Sequence, residues 1–244
     1  MYIALKDQIP ELSRSNLHRC LKRNGLNVLP KEEESVQEKK KFKDYPIGFI
    51  HIDITELRTK EGKFYLFVAI DRTTKYVYVE LHPTMAVEVS RLFLKNLIEH
   101  CPFKITKILT DNGVQFTYAL LSEHLRPKDK MHPFDAICEA HKIEHRLTQF
   151  RHPWTNGQVE VTNRILKKYT TKTYYYEDLD ELKKHMMTFV LYYNHQRKLK
   201  SLKYNTPFDI LCKEFDRHPS NFKHKPTHML LGLNKHPTRK QKSH

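Results

Sequence analysis

Apolar and polar positions change period several times along this chain, and each change marks an element. The stretch Gly48-Phe49-Ile50-His51-Ile52-Asp53-Ile54 is rich in β-branched and aromatic residues, as are residues 64–70 and 76–81. Turn-forming residues at Glu61-Gly62 and Asp71-Arg72-Thr73-Thr74 separate the three, which predicts an antiparallel meander. The period then becomes helical over residues 86–100, where Val89, Phe93, Leu94, Leu97 and Ile98 share one side. Residues 105–110 and 143–147 read as short strands. A helix is predicted from Gly157 to about Lys172, and a longer one over residues 179–197. Three consecutive strands followed by alternating helix and strand predict an α/β fold, a mixed sheet with helices on its faces.

The ends of the chain differ from this body. In residues 13–26, Ser13 or Ser15 is placed to cap a helix that Gly25 closes. Leu17 and Leu21 face one way, while Arg14, Arg19, Lys22 and Arg23 stay out. With a first helix over residues 2–8, this outlines a helix-turn-helix whose second helix is basic. An amphipathic surface helix with solvated charges explains the same pattern equally well. Residues 30–41 are charged, with Val36 as their only large apolar residue, and residues 29–44 read as a linker. The division expected is therefore 1–28 DNA-binding segment, 29–44 linker, 45–211 core and 212–244 tail. From Cys212 onward the tail has eight Lys or Arg against two acids and is broken by Pro219, Pro226 and Pro237. Little regular structure is predicted there.

Composition narrows the function. The 244 residues, 39% of them hydrophobic, suffice for one medium domain with a full core. No apolar run nears the roughly 18 residues that span a bilayer, and no secretory signal is visible at the start. Lys and Arg number 43 against 28 Asp and Glu, a formal charge of +15. That excess points to a polyanionic partner. With no convincing basic amphipathic helix for a membrane, nucleic acid is favoured. Cys20, Cys101, Cys138 and Cys212 are scattered and read as reduced thiols of a cytosolic protein. His132, Cys138, His141 and His145 lack standard zinc spacing.

Three acids stand out by setting. Asp53 interrupts an apolar strand, where an unpaired buried acid is costly. Asp111 ends a strand in Leu109-Thr110-Asp111-Asn112-Gly113, a common place for a ligand site in mixed sheets. Glu160 lies in the first turn of a helix that follows a Gly-containing loop. Each has a bland explanation: Asp111 as a turn former, Glu160 as a partner of the helix dipole. As a set, carboxylates on two neighbouring strands and one helix could converge on Mg²⁺, which prefers hard oxygen ligands. Two such ions about 4 Å apart suit phosphodiester chemistry. Arg164 and Lys167, four and seven positions after Glu160, share its helical face and could hold an anionic substrate there.

The order and setting of Asp53, Asp111 and Glu160 resemble the Asp-Asp-Glu site of the retroviral-integrase-type catalytic core, especially in transposases of bacterial insertion sequences. The resemblance runs through His51-Ile52-Asp53, Ala69-Ile70-Asp71-Arg72, residues 110–116, residues 152–160, Tyr193-Asn194-His195-Gln196-Arg197 and Thr206-Pro207. It implies a ribonuclease-H-like fold with a five-stranded sheet, metal-dependent strand cleavage at an element's end, and attack of the freed 3′-hydroxyl on target DNA. It implies Mg²⁺, with Mn²⁺ as substitute and two ions at Asp53, Asp111 and Glu160. Asn156 and Gly157 would shape the loop before the helix, and Gln158, Arg164 and Lys167 would contact DNA. Multimers on paired DNA ends and a cytoplasmic, nucleoid-associated bacterial location follow as well.

The sequence departs from the family pattern in three places. Forty-eight residues, 112–159, separate Asp111 from Glu160, with an inserted loop expected around residues 125–144 at Pro127 and Pro133. Val161 follows the Glu where Arg is usual. The helix-turn-helix region looks shortened. The competing expectation is accordingly a truncated, catalytically inactive DNA-binding remnant. A cellular nuclease of the same fold is a third, disfavoured by the Asn156-Gly157-x-x-Glu160 arrangement.

Overall fold

The computed structural model describes residues 5, 8–27, 45–127, 130–148 and 157–229. The chain divides into two units, residues 1–43 and 44–244. In the first unit, helix α1 spans Arg14–Arg23. Ser13 Oγ accepts the Asn16 N–H at 3.1 Å and so caps its start. At the other end Gly25 takes φ +65°, and the Leu26 N–H reaches back to the Leu21 carbonyl at 2.8 Å. No residue of α1 is buried, and Arg14, Arg19, Lys22 and Arg23 are all exposed. Of the helix expected over residues 2–8, only residues 5 and 8 are described, so that expectation and the linker at 29–44 lie outside the described residues, Gly-free charged stretch included.

The second unit is built on a five-stranded sheet of order β3-β2-β1-β4-β5. Strands β1 (Phe49–Thr59), β2 (Gly62–Asp71) and β3 (Val77–His82) form the antiparallel meander. Helix α2 (Val87–His100) leads to β4 (Lys107–Thr110), which pairs in parallel with β1. Helix α3 (Pro133–Ala140) and parallel strand β5 (Glu144–Leu147) follow. Helices α4 (Gly157–Tyr169), α5 (Leu179–His195) and α6 (Pro207–Arg217) complete the unit.

Alternation along the central strands sorts their side chains into two cores. Ile50, Ile52, Phe67 and Ala69 face α2 and α3, where Phe93, Leu94, Leu97 and Phe134 meet them. Leu57, Leu66, Val68 and Ile70 face α4 and α5, against Val159, Leu166, Leu182 and Met186. A strand buried on both faces reads as a nearly continuous apolar run, as Phe64 to Ile70 does. The Asn194 side chain accepts the Val77 N–H at 3.0 Å and donates to the Val77 carbonyl at 2.8 Å, fastening α5 to the edge strand β3. That explains why an amide stands in the motif around residue 194.

Two expectations are corrected. The stretch around residues 125–144 carries helix α3 rather than only an inserted loop. Pro133 stands at its start, where a missing N–H is harmless and the fixed φ suits the first turn. His132 Nδ1 accepts the Phe134 N–H at 3.1 Å, and Phe134, Ile137 and Cys138 are buried in the first core. Regular structure also continues past Cys212. A Thr206–Asp209 capping box starts α6, which runs through to Arg217. Beyond it Phe222 packs edge-on against Phe103 and Phe215, and the Lys104 N–H donates to the Asn221 carbonyl at 2.8 Å. Residues 230–244 lie outside the described residues.

Candidate functional site

Register and alternation bring the acids to one end of the sheet. Asp53 pairs with Val68 of β2, so its side chain emerges on the face covered by α4 and α5. Strand β4 lies on the other side of β1, and Asp111 follows its last residue. Glu160 is exposed in the first turn of α4 and makes no hydrogen bond or ion pair among the described residues. Asp53 is half-buried. Its Oδ1 accepts the Ile54 N–H at 2.9 Å, and its Oδ2 accepts Asn163 Nδ2 at 2.6 Å. Asp111 Oδ1 accepts the Gly113 N–H at 2.9 Å, and Asn112 Nδ2 donates to the Thr148 carbonyl at 2.9 Å, tying this loop to the end of β5.

Burial raises the Asp53 carboxyl to about 6, and the negative charges of Asp111 and Glu160 push in the same direction. Asp111 and Glu160 are thus near enough to act on Asp53 electrostatically, an effect that a cation beside Asp53 would relieve. All the donors are hard carboxylate oxygens, which fit Mg²⁺ or Mn²⁺. Among the described residues no group of three or more His, Cys, Asp or Glu side chains could hold a metal ion as placed. The oxygens of Asp53 and Asp111 are instead held by Asn163 and by backbone N–H groups, and Glu160 stands exposed at the helix start.

The other foreseen residues fall on α4, in the first unit, or outside the described residues. Gly157 opens α4. Gln158 is half-buried, with its Nε2 directed at the carbonyls of Asp71 and Arg72 at 3.4 and 3.5 Å. Arg164 is exposed and Lys167 half-buried on α4. Arg14, Arg19, Lys22 and Arg23 belong to the first unit. Asn156 lies outside the described residues.

Sequence reasoning missed Asn163 and His51. Asn163 is three residues after Glu160, a spacing that puts both on one helical face and could have exposed it. Its Oδ1 is buried without a hydrogen-bond partner among the described residues. His51, two residues before Asp53 on the same face of β1, is 1% exposed, and neither ring nitrogen has a hydrogen-bond partner among the described residues. Burial, with the positive charges of Arg72 and Lys75, lowers it to about 4, so the ring is neutral. Asp71, also in a family-like motif, is a structural acid. Its carboxylate accepts the N–H groups of Gly48, Thr73 and Thr74 and the Thr74 hydroxyl, closing the turn between β2 and β3.

The opposite shifts of Asp53 and His51 have opposite effects on stability. Between about pH 4 and 6 the folded chain holds the Asp53 proton that the unfolded chain loses, so this group makes stability fall as pH rises. Between about pH 4 and 6.5 the unfolded chain binds a proton at His51 that the folded chain refuses, so this group makes stability rise with pH. His51→Leu removes the second slope and the two unpaired nitrogens. Relative to wild type, the variant is expected to gain on the order of 2 kcal/mol more at pH 4.5 than at pH 6.5. Urea unfolding at the two pH values measures this, and an equal change at both would refute the role given to His51.

Two family descriptions, each of an integrase core domain, match residues 44–153 and 141–207. The integrase-named ORF3 protein of Spiroplasma virus SpV1-C74 is 25% identical over 221 residues, covering 85% of this chain and 59% of its own length. An uncharacterized protein of Caenorhabditis elegans, K02A2.6, is 29% identical over 104 residues, covering 43% of this chain and 7% of its own. The chain thus spans well under two thirds of these relatives. Among solved structures, the simian T-cell lymphotropic virus intasome with PP2A regulatory subunit B56 gamma contains a chain matched with TM-score 0.54 at 24% identity, over 67% of this chain and 54% of that one. The BIV integrase catalytic core domain matches with TM-score 0.53 at 19% identity, over 71% and 97%. The HTLV-2 integrase catalytic core domain in complex with magnesium, in its trimeric form, matches with TM-score 0.51 at 22% identity, over 68% and 96%. These likenesses establish the ribonuclease-H-like fold.

Proposed function

We propose that the chain is a DDE-type DNA transposase whose metal ligands are Asp53, Asp111 and Glu160, a reading supported by the two integrase core domain descriptions that match residues 44–153 and 141–207. The observation that carries this reading is the placement of the acids: Asp53 lies on β1, Asp111 follows the adjacent parallel strand β4, and the charges of Asp111 and Glu160 add to the rise that burial gives the Asp53 carboxyl. When bound, a pair of Mg²⁺ ions, or Mn²⁺ in their place, would supply activation of the attacking oxygen and stabilisation of the leaving one. The chain's own residues do the rest. Asn163 and the Ile54 N–H fix the orientation of Asp53, and the Gly113 N–H fixes that of Asp111. Holding the carboxylates beforehand spares reorganisation when substrate arrives.

DNA is held against this acidic centre by cations. Arg164 and Lys167 take the phosphates beside Glu160, while Asn156, Gly157 and Gln158 shape the approach to the helix. Arg14, Arg19, Lys22 and Arg23 of α1 contact element ends. The formal charge of +15 supports this. Binding to duplex DNA is expected to weaken steeply with salt, and Arg164→Ala or Lys167→Ala to lower the log–log salt slope by about 1 each. Fluorescence anisotropy between 50 and 300 mM salt, on the order of the range where phosphate contacts dominate, reads this out. A flat salt response would sink the electrostatic part of the reading.

The finer reading is an insertion-sequence transposase, acting as a multimer on paired DNA ends in the bacterial cytoplasm. The test uses supercoiled plasmid with Mn²⁺, Mg²⁺ or EDTA, followed by joining of a labelled duplex. Metal-dependent nicking together with joined products supports a transposase. Cutting without joining would point to a plain nuclease, and DNA binding without cutting to an inactive DNA-binding protein.

A further inference from the structure

Beneath Asp111, on the sheet face turned away from α4, three side chains link three elements. Thr110 is the last residue of β4 and is fully buried. Its Oγ1 lies 2.8 Å from the backbone carbonyl of Asp111 and 2.9 Å from Nε2 of His145 on β5. Nδ1 of the same ring lies 2.5 Å from Oδ1 of Asp135 on α3. The sheet register makes this possible, since His145 pairs with Ile108 and so shares the face of Thr110. The edge of the Phe134 neighbourhood completes the setting, with the Phe134 and His145 rings 4.9 Å apart.

A hydroxyl has one proton to give. The Asp111 carbonyl takes it, so Thr110 Oγ1 receives the Nε2–H of His145 and the Asp135 carboxylate receives the Nδ1–H, an arrangement that needs both ring nitrogens protonated and the ring paired as a cation with Asp135. We propose that Asp135 and His145 are positioning residues that brace Asp111 through the Thr110 hydroxyl. The carboxylate of Asp111 accepts the Gly113 N–H, while its peptide carbonyl is anchored by Thr110 from the sheet face turned away from α4. This inference rests on the reading of Asp111 as a metal ligand. Groups that orient ligands from behind typically change metal affinity about 10–100-fold when removed.

Nothing else in the fold requires this chain of contacts. A buried Thr hydroxyl could bond to the β4 or α3 backbone alone, and the His145 ring could pack as an aromatic. The ring is instead held at both nitrogens, one by a carboxylate, and the link ends on the residue that carries the second acid. Helix α3 and strand β5 are thereby linked to the start of the loop that carries Asp111.

The test is Mn²⁺ binding by the full chain without DNA, followed by electron paramagnetic resonance of free Mn²⁺. Asp111→Asn serves as reference, and thermal unfolding is recorded for every variant. Thr110→Val keeps the volume and removes the hydroxyl. It is expected to weaken Mn²⁺ binding about 10-fold or more, at temperatures well below its unfolding midpoint. Thr110→Ser restores the hydroxyl and should bind as wild type. His145→Ala should weaken binding as Thr110→Val does, and the double variant should be no worse than either, because both cut the same link. Thr110→Val with wild-type Mn²⁺ affinity would overturn the brace, even if its melting temperature fell. A wild-type chain that binds Mn²⁺ no better than Asp111→Asn would overturn the metal site itself and the brace with it.

Discussion

Glu160→Gln is expected to reduce metal-dependent nicking about 1,000-fold or more while leaving DNA affinity within about 3-fold of wild type. The loss follows from removing one anionic ligand of a centre that stabilises charge by several kcal/mol, with each 1.36 kcal/mol worth about tenfold in rate. The binding expectation follows from position. Glu160 is exposed, forms no ion pair among the described residues, and sits on the same helical face as Arg164 and Lys167. Neutralising it removes repulsion of phosphate rather than attraction, so affinity stays level or rises slightly. Asp111→Asn should behave in the same way. Plasmid nicking and anisotropy on the same preparations decide it. A variant that loses binding and cutting together would show that Glu160 supports the DNA interface or the helix, and not the chemistry.

Gly48→Ala should cost about 3 kcal/mol or more, through mechanisms that account for the largest single-residue losses. Gly48 has φ +99°, a conformation that side chains rarely adopt, and a Cβ there would lie 2.3 Å from the Lys104 carbonyl oxygen. Neither neighbour can yield easily. The Gly48 N–H donates to the buried Asp71 carboxylate at 2.9 Å, and its carbonyl accepts the N–H groups of Thr106 and Lys107 at 2.9 and 3.1 Å. Relieving the clash therefore breaks bonds on two sides and leaves buried donors unpaired. For a unit of this size the loss corresponds to a fall in melting temperature of roughly 6–12 °C. Because Gly48 joins the start of β1 to the segment entering β4, nicking should fall as well. A loss under about 1 kcal/mol in urea would show that the junction is pliable.

Much of the fold could be read from the chain because its signals are local. Phe64 to Ile70 is apolar throughout since both its faces are covered, and Glu61-Gly62 turns the hairpin with Gly62 at φ +137°. The 3.6-residue spacing of Val89, Phe93 and Leu97 marked α2 for the same reason. Helix α3 escaped because Pro133 was read as a loop signal, although the first helical position is where proline is tolerated best. Helix α6 escaped because the basic tail around it masked Leu211 and the Thr206–Asp209 box. Strand β1 runs five residues past Ile54, where Thr55, Glu56 and Arg58 give no apolar pattern; pairing with β2 holds them in place.

The site divides along the same line. Asp53, Asp111 and Glu160 stand in stretches with recognisable neighbours, so their order along the chain pointed to one another. Asn163 and His51 did not stand out, since their importance lies in what surrounds them. The bond from Asn163 to Asp53 joins positions 110 apart, and the lack of hydrogen-bond partners for the His51 nitrogens among the described residues appears only when β1 is covered on both faces. The link from Asp135 through His145 to Thr110 likewise depends on parallel register, which no single segment encodes.

The meander has a consequence for the timing of synthesis. Strands β1, β2 and β3 pair only with near neighbours in the chain, so residues 49–82 can assemble while the rest is still being made. Asp53 is set on its hairpin at that stage. Glu160 is added 107 positions later (160 − 53), which at about 5–20 residues per second is a delay of roughly 5–20 s. Asp111 is added 58 positions after Asp53 (111 − 53), so through that interval a ribosome-bound chain carries at most two of the three acids proposed to hold metal. On the proposed reading, the newborn protein cannot cut DNA until its last acid arrives and docks.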